Sequence, residues 1–474
     1  MKQYRFPLLA VVSVGLFVFY RAAHLPITHD EASTWLNYRH LNLWSCLNEY
    51  FCWQTANNHW LNSLLLQGSA SLFGDAPWAL RMPNCLAGML YALAASLICM
   101  RYLTTPVIRV AGFLLLTCHI YLLDFFSLAR GYGLLACSVM WAIWCLIRYT
   151  ETYSLKWLGG CIMALVLGVI SNFTGLLAFA SFGGAWLVVL IISNKWSLIW
   201  RHGILWLVIS IGLYFLLSYP IRILMGNGEF AWGAPDFGEM IRDLFRNLLY
   251  GATYFGNKTV ISILAFVLLS VTGVAVYWSI QKRKPLPVMG VSILLLLITL
   301  LAIETEHRLL GSNLPVGRKS IFLIPLLFLP LALGLNFIWS KTSALVMTGV
   351  ISIALLFHLR FSYPWGAVRE WYFDAYYPQL FAEMRQPSTP QDSIRLGSSW
   401  LFNPALQYYR SAQSMPLAGL VYQKKLVIDT TMEFYIVESP DSVKMHENGF
   451  SLVKSIGPCL VFKNTNPLIA RDNQ

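Results

Sequence analysis

The sequence predicts a mainly α-helical, polytopic membrane protein with about eleven transmembrane helices, interfacial helices in the first external loop, and a small C-terminal α/β extracytoplasmic domain. Three observations carry this. Hydrophobic residues make up 57% of the chain and charged residues only 12%, where a soluble protein is usually about 25% charged. Long apolar runs recur from end to end, each near the ~20 residues needed to cross a bilayer. The short loops between alternate runs are basic, as cytoplasmic loops of membrane proteins are.

The runs put spans near 6–23, 82–100, 106–123, 131–147, 157–172, 176–193, 203–219, 260–280, 286–303, 320–338 and 342–360. The first could pass for a signal peptide with a weak cleavage site near Ala22-Ala23. An uncleaved first span is expected instead, because the best motif of the chain follows it directly. The span at 157–172 is short, and Ser171 to Gly175 form the turn that separates it from the next.

Charge orients these spans. With the N-terminus inside, the inner segments and adjoining helix ends hold Lys2, Arg5, Arg101, Arg109, Arg148, Lys156, Lys195, Arg201, Lys282, Arg283, Lys284 and Lys341 against one acid, Glu151. All other Asp and Glu residues then fall outside, and the odd span count puts the C-terminus there too. A multi-pass cell-membrane location follows, with the N-terminus cytoplasmic and the C-terminal domain extracytoplasmic. The net charge of +12 is spread over these loops rather than gathered on one soluble face, so nucleic acid is not an expected partner. The inner loops leave no room for a nucleotide-binding domain, and no GxxxxGK[ST] occurs. Most cysteines, such as Cys99, Cys118, Cys137 and Cys145, sit inside apolar runs and behave as small hydrophobes. Cys46 and Cys52 share the first external loop, where a disulfide could form.

Three external segments are long. The first, from His24 to about Arg81, contains an aromatic amphipathic stretch, Trp35 to Trp53, expected to lie in the interface. The second runs from Pro220 to Thr259, with Gly226, Gly228, Gly233 and Pro235 marking loop. The third follows Arg360 and has ordinary polarity. Domains are accordingly drawn at 1–360 (membrane) and 361–474 (extracytoplasmic). In the tail, Ser393 to Ser398, Lys425 to Asp429, Phe434 to Val437 and Cys459 to Phe462 read as extended, and Asn403 to Arg410 as a helix.

Five constellations could carry chemistry. His29-Asp30-Glu31 follows the first span: two adjacent acids at a membrane surface suit a general base and its partner, or metal ligands, or simply a solvated loop. Asn57-Asn58-His59-Trp60-Leu61-Asn62 precedes an apolar helix; Asn58 could cap it, yet a cap needs only one such residue. Arg81 opens the second span, and Arg130 with Tyr132 opens the fourth, beside Gly131 and Gly133, which would let a ligand approach the backbone. An ionisable residue within a span costs roughly 2.5–3.5 kcal/mol on insertion scales, so it reads as functional unless it snorkels. Arg318 and Lys319, before the tenth span, are adjacent cations on the outer face, where they suit an anionic partner or lipid headgroups.

Acids and cations thus gather at span ends on one side of the membrane. Nucleotide-activated substrates are not at hand there, so an activated group would arrive on a lipid. A sugar on a polyprenyl phosphate would lie with its phosphate at headgroup depth. Cations would neutralise the leaving phosphate, and a carboxylate would take the acceptor's proton. The competing reading is a transporter or flippase for a lipid-linked glycan; such proteins often carry inverted repeats and broken midplane helices, and no repeat stands out here. A scaffold that only binds lipid is a third reading.

In this order the motifs resemble the GT-C superfamily of polytopic glycosyltransferases, which includes protein O-mannosyltransferases and the transferases that add aminoarabinose to lipid A. The resemblance covers roughly the first 140 residues, and more loosely the stretch around Gly317-Arg318. It rests on the acidic pair Asp30-Glu31 after span one, the polar segment Asn58-His59-Trp60-Leu61, Ala79 to Pro83 at span two, and Ala129 to Tyr132 at span four. Many members have Pro where this chain has Trp60. The resemblance implies Asp30 as catalytic base with Glu31 supporting it or contacting the acceptor. It also implies a polyprenyl-phosphate-linked sugar donor held by Arg130, Tyr132, Arg318, Lys319 and Arg81, with Asn58 and His59 orienting donor or acceptor. The implied acceptor is a lipid, glycan or protein, and membrane lipids are partners. No cofactor is fixed: some relatives use a divalent metal and others do not, and His29, Asp30, Glu31 and His59 could bind one.

Overall fold

The computed structural model describes residues 5–41, 55–252, 288–337, 341–384 and 393–465, with isolated positions at 45, 259, 262, 266 and 270. Helices dominate. Among the described residues seven are long and apolar enough to cross a membrane, eight if a bent pair counts as one span, and two shorter apolar helices accompany them. In chain order they are α1 (Arg5–His24), α2 (His29–Tyr38), α3 (Trp60–Phe73), α4 (Pro77–Tyr102), α5 (Pro106–Thr117), α6 (Ile120–Phe126), α7 (Gly131–Thr152), α8 (Leu155–Ser171) and α9 (Gly175–Ile192). They continue with α10 (Trp196–Gly226), α11 (Phe237–Leu248), α12 (Val288–Leu310), α13 (Leu323–Gly334) and α14 (Lys341–Ser362). Every expected span except 260–280 has a helix on it; that span, the Cys46/Cys52 pair and most of the stretch 42–54 lie outside the described residues.

Three differences from the expected layout have local causes. The third span is broken: α5 and α6 meet at 68°, around Cys118 and His119. The second external segment is helical beyond Pro235, where Asp236 caps α11 by accepting the Glu239 N–H at 2.9 Å. Pro83 and Pro220 lie inside α4 and α10 instead of bounding them. Proline leaves the carbonyl four residues earlier without its helical donor. At Pro83 that carbonyl is Ala79, and the Ser69 hydroxyl donates to it at 2.5 Å.

Contacts divide the chain into two units, Met1–Phe19 with Trp44–Asn62 and Pro83–Tyr363, and Tyr20–Leu43 with Ser63–Met82 and Pro364–Gln474. In the first, α8 packs along α7, α9 lies on α8 and α12, and α13 and α14 both lie on α5.

The second unit holds a five-stranded sheet, with α15 (Tyr377–Met384), α16 (Asn403–Ala412) and α17 (Ser442–Glu447). Its strands are β1 (Ile394–Ser398), β2 (Leu417–Ala418), β3 (Phe434–Val437), β4 (Phe450–Ile456) and β5 (Cys459–Asn464), in the order β2-β1-β3-β5-β4. β1 runs parallel to β2 and β3, and β5 antiparallel to β3 and β4. Met432, Tyr435, Val437, Met445, Phe450 and Phe462 form its core. Gly397 pairs with Tyr435, whose ring lies where a Cβ would stand, 2.2 Å away. The stretch Lys425 to Asp429, read as a strand, is not one: the Val427 N–H goes to the Gln423 side chain at 3.0 Å rather than to a neighbouring strand.

Candidate active site

Asp30, Glu31 and Arg81 belong to the second unit; Asn58, His59, Arg130, Tyr132, Arg318 and Lys319 belong to the first.

The acidic pair opens α2. Thr28, extended at φ −88°, ψ 157°, caps the helix with a reciprocal box. Its hydroxyl accepts the Glu31 N–H at 3.4 Å, and its own N–H and hydroxyl each donate to Glu31 Oε2 at 3.0 Å. Carboxylates are favoured in this first turn, where helix N–H groups point outward. Glu31 is fully buried and Asp30 half-buried.

Glu31 is held by Arg81. Arg81 Nε donates to Oε1 at 2.8 Å and Nη2 to Oε2 at 2.6 Å. The remaining guanidinium protons go to the carbonyls of Ala22 at 2.9 Å, Leu25 at 2.7 Å and Pro26 at 2.7 Å. A guanidinium has five N–H donors, and these five acceptors use them, with Arg81 at 0% exposure. Geometry therefore gives Arg81 a bracing position against the chain that links α1 to α2, not one with donors turned to a phosphate.

Residues from after α14 complete this turn. The His29 N–H donates to Asp374 Oδ2 at 2.7 Å, and His29 Nδ1 lies 2.7 Å from the Leu401 carbonyl. Trp400 stands edge-on to the His29 ring at 5.6 Å, and α16 packs on α2. Asp374 is 2% exposed. Burial pushes its carboxyl well above the usual range, opposed by the His29 N–H and Tyr377 and reinforced by Asp30 and Glu31. Asp374 was not legible as a site residue; it stands in an aromatic stretch far along the chain.

Among the described residues no group of three or more His, Cys, Asp or Glu side chains could hold a metal ion. Glu31 is committed to Arg81 and the His29 ring to Leu401, so these two do not fit a metal.

The second cluster gathers around Arg130, which is fully buried as the N-cap of α7. Its Nη2 donates to Asn57 Oδ1 at 2.5 Å and lies 3.1 Å from His59 Nε2. His59 Nδ1 lies 3.2 Å from Asn172 Nδ2, and Asn172 Oδ1 accepts the Thr174 N–H at 2.9 Å and its hydroxyl at 2.5 Å. Thr174 thereby fixes the Asn172 amide nitrogen as the donor toward His59. A neutral imidazole accepts at one nitrogen only, so the Arg130–His59 contact is the weaker of the two. Asn58 is buried beside this segment.

Tyr132 joins the cations. Its ring meets His59 edge-on at 4.9 Å, and both Arg130 and Arg318 have their Cζ atoms within reach of its centroid, at 5.9 and 5.7 Å. Lys319 instead turns to Trp232, donating to its carbonyl at 2.8 Å. Burial and the neighbouring Arg318 charge lower the Lys319 ammonium from its usual range, with Glu229 opposing.

The glycines at α7 do something other than admit a ligand. A Cβ on Gly131 would stand 1.9 Å from the Ser171 carbonyl and 2.9 Å from the His59 side chain, and one on Gly133 would stand 2.3 Å from the Phe125 carbonyl. The space beside them is filled by this chain's own backbone. Gly131→Ala is expected to cost about 1–3 kcal/mol through overpacking, read as a lower thermal midpoint; an unchanged midpoint would mean α7 and α8 can part without cost.

Two asparagines support the cluster. Asn62 Nδ2 donates to the Ala129 carbonyl at 2.9 Å, and Asn84 Nδ2 to Asn62 Oδ1 at 2.9 Å. They fix the backbone just before Arg130. Asp124, fully buried, accepts the Tyr250 hydroxyl at 2.5 Å; an acid at a span end is the sequence signal for it.

Residues 60–220 match the family model described as dolichyl-phosphate-mannose-protein mannosyltransferase. Across nearly the whole chain the fold is similar to that of ArnT from Cupriavidus metallidurans. The apo structure aligns at TM-score 0.54 and 14% identity, covering 98% of each chain. The structure bound to undecaprenyl phosphate aligns at 0.54 and 11% identity, covering 96% of this chain and 97% of that one. No curated protein sequence matches the chain. The protein is thus a multi-pass membrane protein with an ArnT-like fold.

Proposed function

We propose that this chain is a membrane glycosyltransferase that moves a sugar from a polyprenyl-phosphate donor to an acceptor on the extracytoplasmic side: a glycolipid, a polysaccharide or a protein. The observation that carries the reading is the pair of guanidinium groups, Arg130 and Arg318, on the one ring of Tyr132. Two cations so placed complement an anion that can bridge them, and phosphate does so with charge-assisted hydrogen bonds. The mannosyltransferase family match spans Arg130 and Tyr132, and a similar fold has been solved with undecaprenyl phosphate bound. Both support a lipid-phosphate donor.

In this reading residues 1–360 form the catalytic membrane domain and 361–474 an extracytoplasmic domain, in the inner membrane with the N-terminus cytoplasmic. Asp30 removes the proton from the acceptor's nucleophilic group. That group bonds to the anomeric carbon as the bond from carbon to phosphate oxygen breaks, with inversion. The polyprenyl phosphate leaves, and Arg130 and Arg318 neutralise the charge it gains. The phosphate displaces the weak Arg130–His59 contact, and His59 with Asn58 orients donor or acceptor. Lys319 adds positive charge nearby. Glu31 supports Asp30 by holding its turn, and Arg81 acts through Glu31 instead of on the donor.

Purified protein given a polyprenyl-phosphate sugar and candidate acceptors tests the class: covalent transfer is expected, and vesicle-to-vesicle movement of the lipid without transfer would favour a flippase. Arg130→Ala and Arg318→Ala should each weaken the donor by roughly 1.5–3 kcal/mol, the worth of a hydrogen bond to a charged group. That is read as a raised donor KM. An unaltered KM in both variants removes the phosphate from this cluster.

A further inference from the structure

We propose that Asp374 is a positioning residue for Asp30: its buried carboxyl anchors the first turn of α2 without adding another negative charge to that turn. This rests on the reading of Asp30 as the base.

Asp374 Oδ2 takes the His29 N–H at 2.7 Å, one residue before Asp30. Its Oδ1 is buried with no hydrogen-bond partner within 3.5 Å among the described residues, and the nearby Tyr377 hydroxyl donates to the Phe402 carbonyl at 3.3 Å. An ionised carboxylate needs donors at both oxygens, and leaving one bare in a dry site is costly; a neutral carboxylic acid tolerates it far better. The His29 N–H and the Tyr377 hydroxyl favour the charged form, but burial outweighs them. Asp30 and Glu31 repel a charge at 374, and Glu31 already has Arg81 as its counter-ion. From α15 comes Tyr377, from α16 Tyr409, and from β5 Cys459; burial first of all pushes Tyr409 and Cys459 up to about 12, and Tyr377 well above its usual range. None of these supplies a cation. Burial likewise raises Asp374 itself. So a single net negative charge remains on the turn, at Asp30, where the acceptor's proton is to be received.

The sign of the pH effect follows. A group whose folded pKa lies above its unfolded value contributes stability fully present below the unfolded pKa, about 4 for Asp, and lost as pH rises through the folded pKa. Full-length protein in nanodiscs, as wild type, Asp374→Asn and Asp374→Ala, would be followed by thermal unfolding across pH and by initial rates of sugar transfer. Asparagine copies the neutral acid and can still accept the His29 N–H. Asp374→Asn is expected to keep neutral-pH transfer to within about threefold and to gain in Tm over wild type as pH rises above about 4. Asp374→Ala should lose transfer by about tenfold or more. A Tm difference between Asn and wild type that does not change with pH, or an Asn variant as slow as Ala, overturns the proposal. Failure of the Asp30 reading looks different: Asp30→Asn would then transfer sugar while the pH-dependent Tm gap at position 374 persists.

Discussion

Asp30→Asn is expected to abolish detectable sugar transfer while leaving folded protein at normal abundance. A general base contributes about 10²–10⁴-fold to rate, and the amide keeps the size of the side chain but cannot take a proton. Folding should survive, because Asp30 is half-buried and the hydrogen bond from the Thr34 hydroxyl, at 2.9 Å, goes to its main-chain oxygen. Loss should fall on kcat, with donor KM near wild type, since the cations around Tyr132 are untouched. The measurement is single-turnover transfer from a polyprenyl-phosphate sugar by purified variant and wild type. Wild-type rates in Asp30→Asn would remove the residue from its role.

The second large effect is on stability. Glu31 and Arg81 form an ion pair with both side chains at 0% exposure. Removing one partner of a buried pair typically costs about 3–5 kcal/mol, because a charge is left without its counter-ion. Glu31→Gln should therefore lower the thermal midpoint strongly. Arg81→Leu should lower it further, since it also strips hydrogen bonds from the carbonyls of Ala22, Leu25 and Pro26. The paired change Glu31→Leu with Arg81→Leu should cost less than the two single changes added together. Fluorescence-detected size exclusion and thermal melts in detergent read all three, and a Glu31→Gln protein melting with wild type would show that the pair contributes nothing net.

The membrane spans were legible because hydrophobicity over ~20 residues is a signal that neighbours cannot override. The break between α5 and α6 was not: Cys118 and His119 look like part of one apolar run, and only packing decides the bend. Strand β4 was missed since Ser451 through Ser455 are exposed and lack alternation, while Lys425 to Asp429 alternates yet finds no strand to pair with. In the site, Asp30, Glu31 and Arg130 announce themselves by charge near apolar runs. The use of Arg81 could not be read, because three of its acceptors are main-chain carbonyls, which every residue has. Gly131 and Gly133 were read as room for a ligand, when the approach they permit is that of the Ser171 and Phe125 carbonyls. Asp374 is silent in the sequence for the opposite reason: its partner, the His29 N–H, lies 345 positions away.

That separation has a bearing on biogenesis. A nascent chain emerges N-terminal end first, and domains generally fold in that order. The turn bearing Asp30 leaves the ribosome before its fastenings at Asp374 and Leu401, which are synthesised only after α14. A polypeptide stopped after Ser362 would own every described span and still lack those fastenings. In the proposed reading, the turn of the base is therefore fastened only once the segment after α14 has been made.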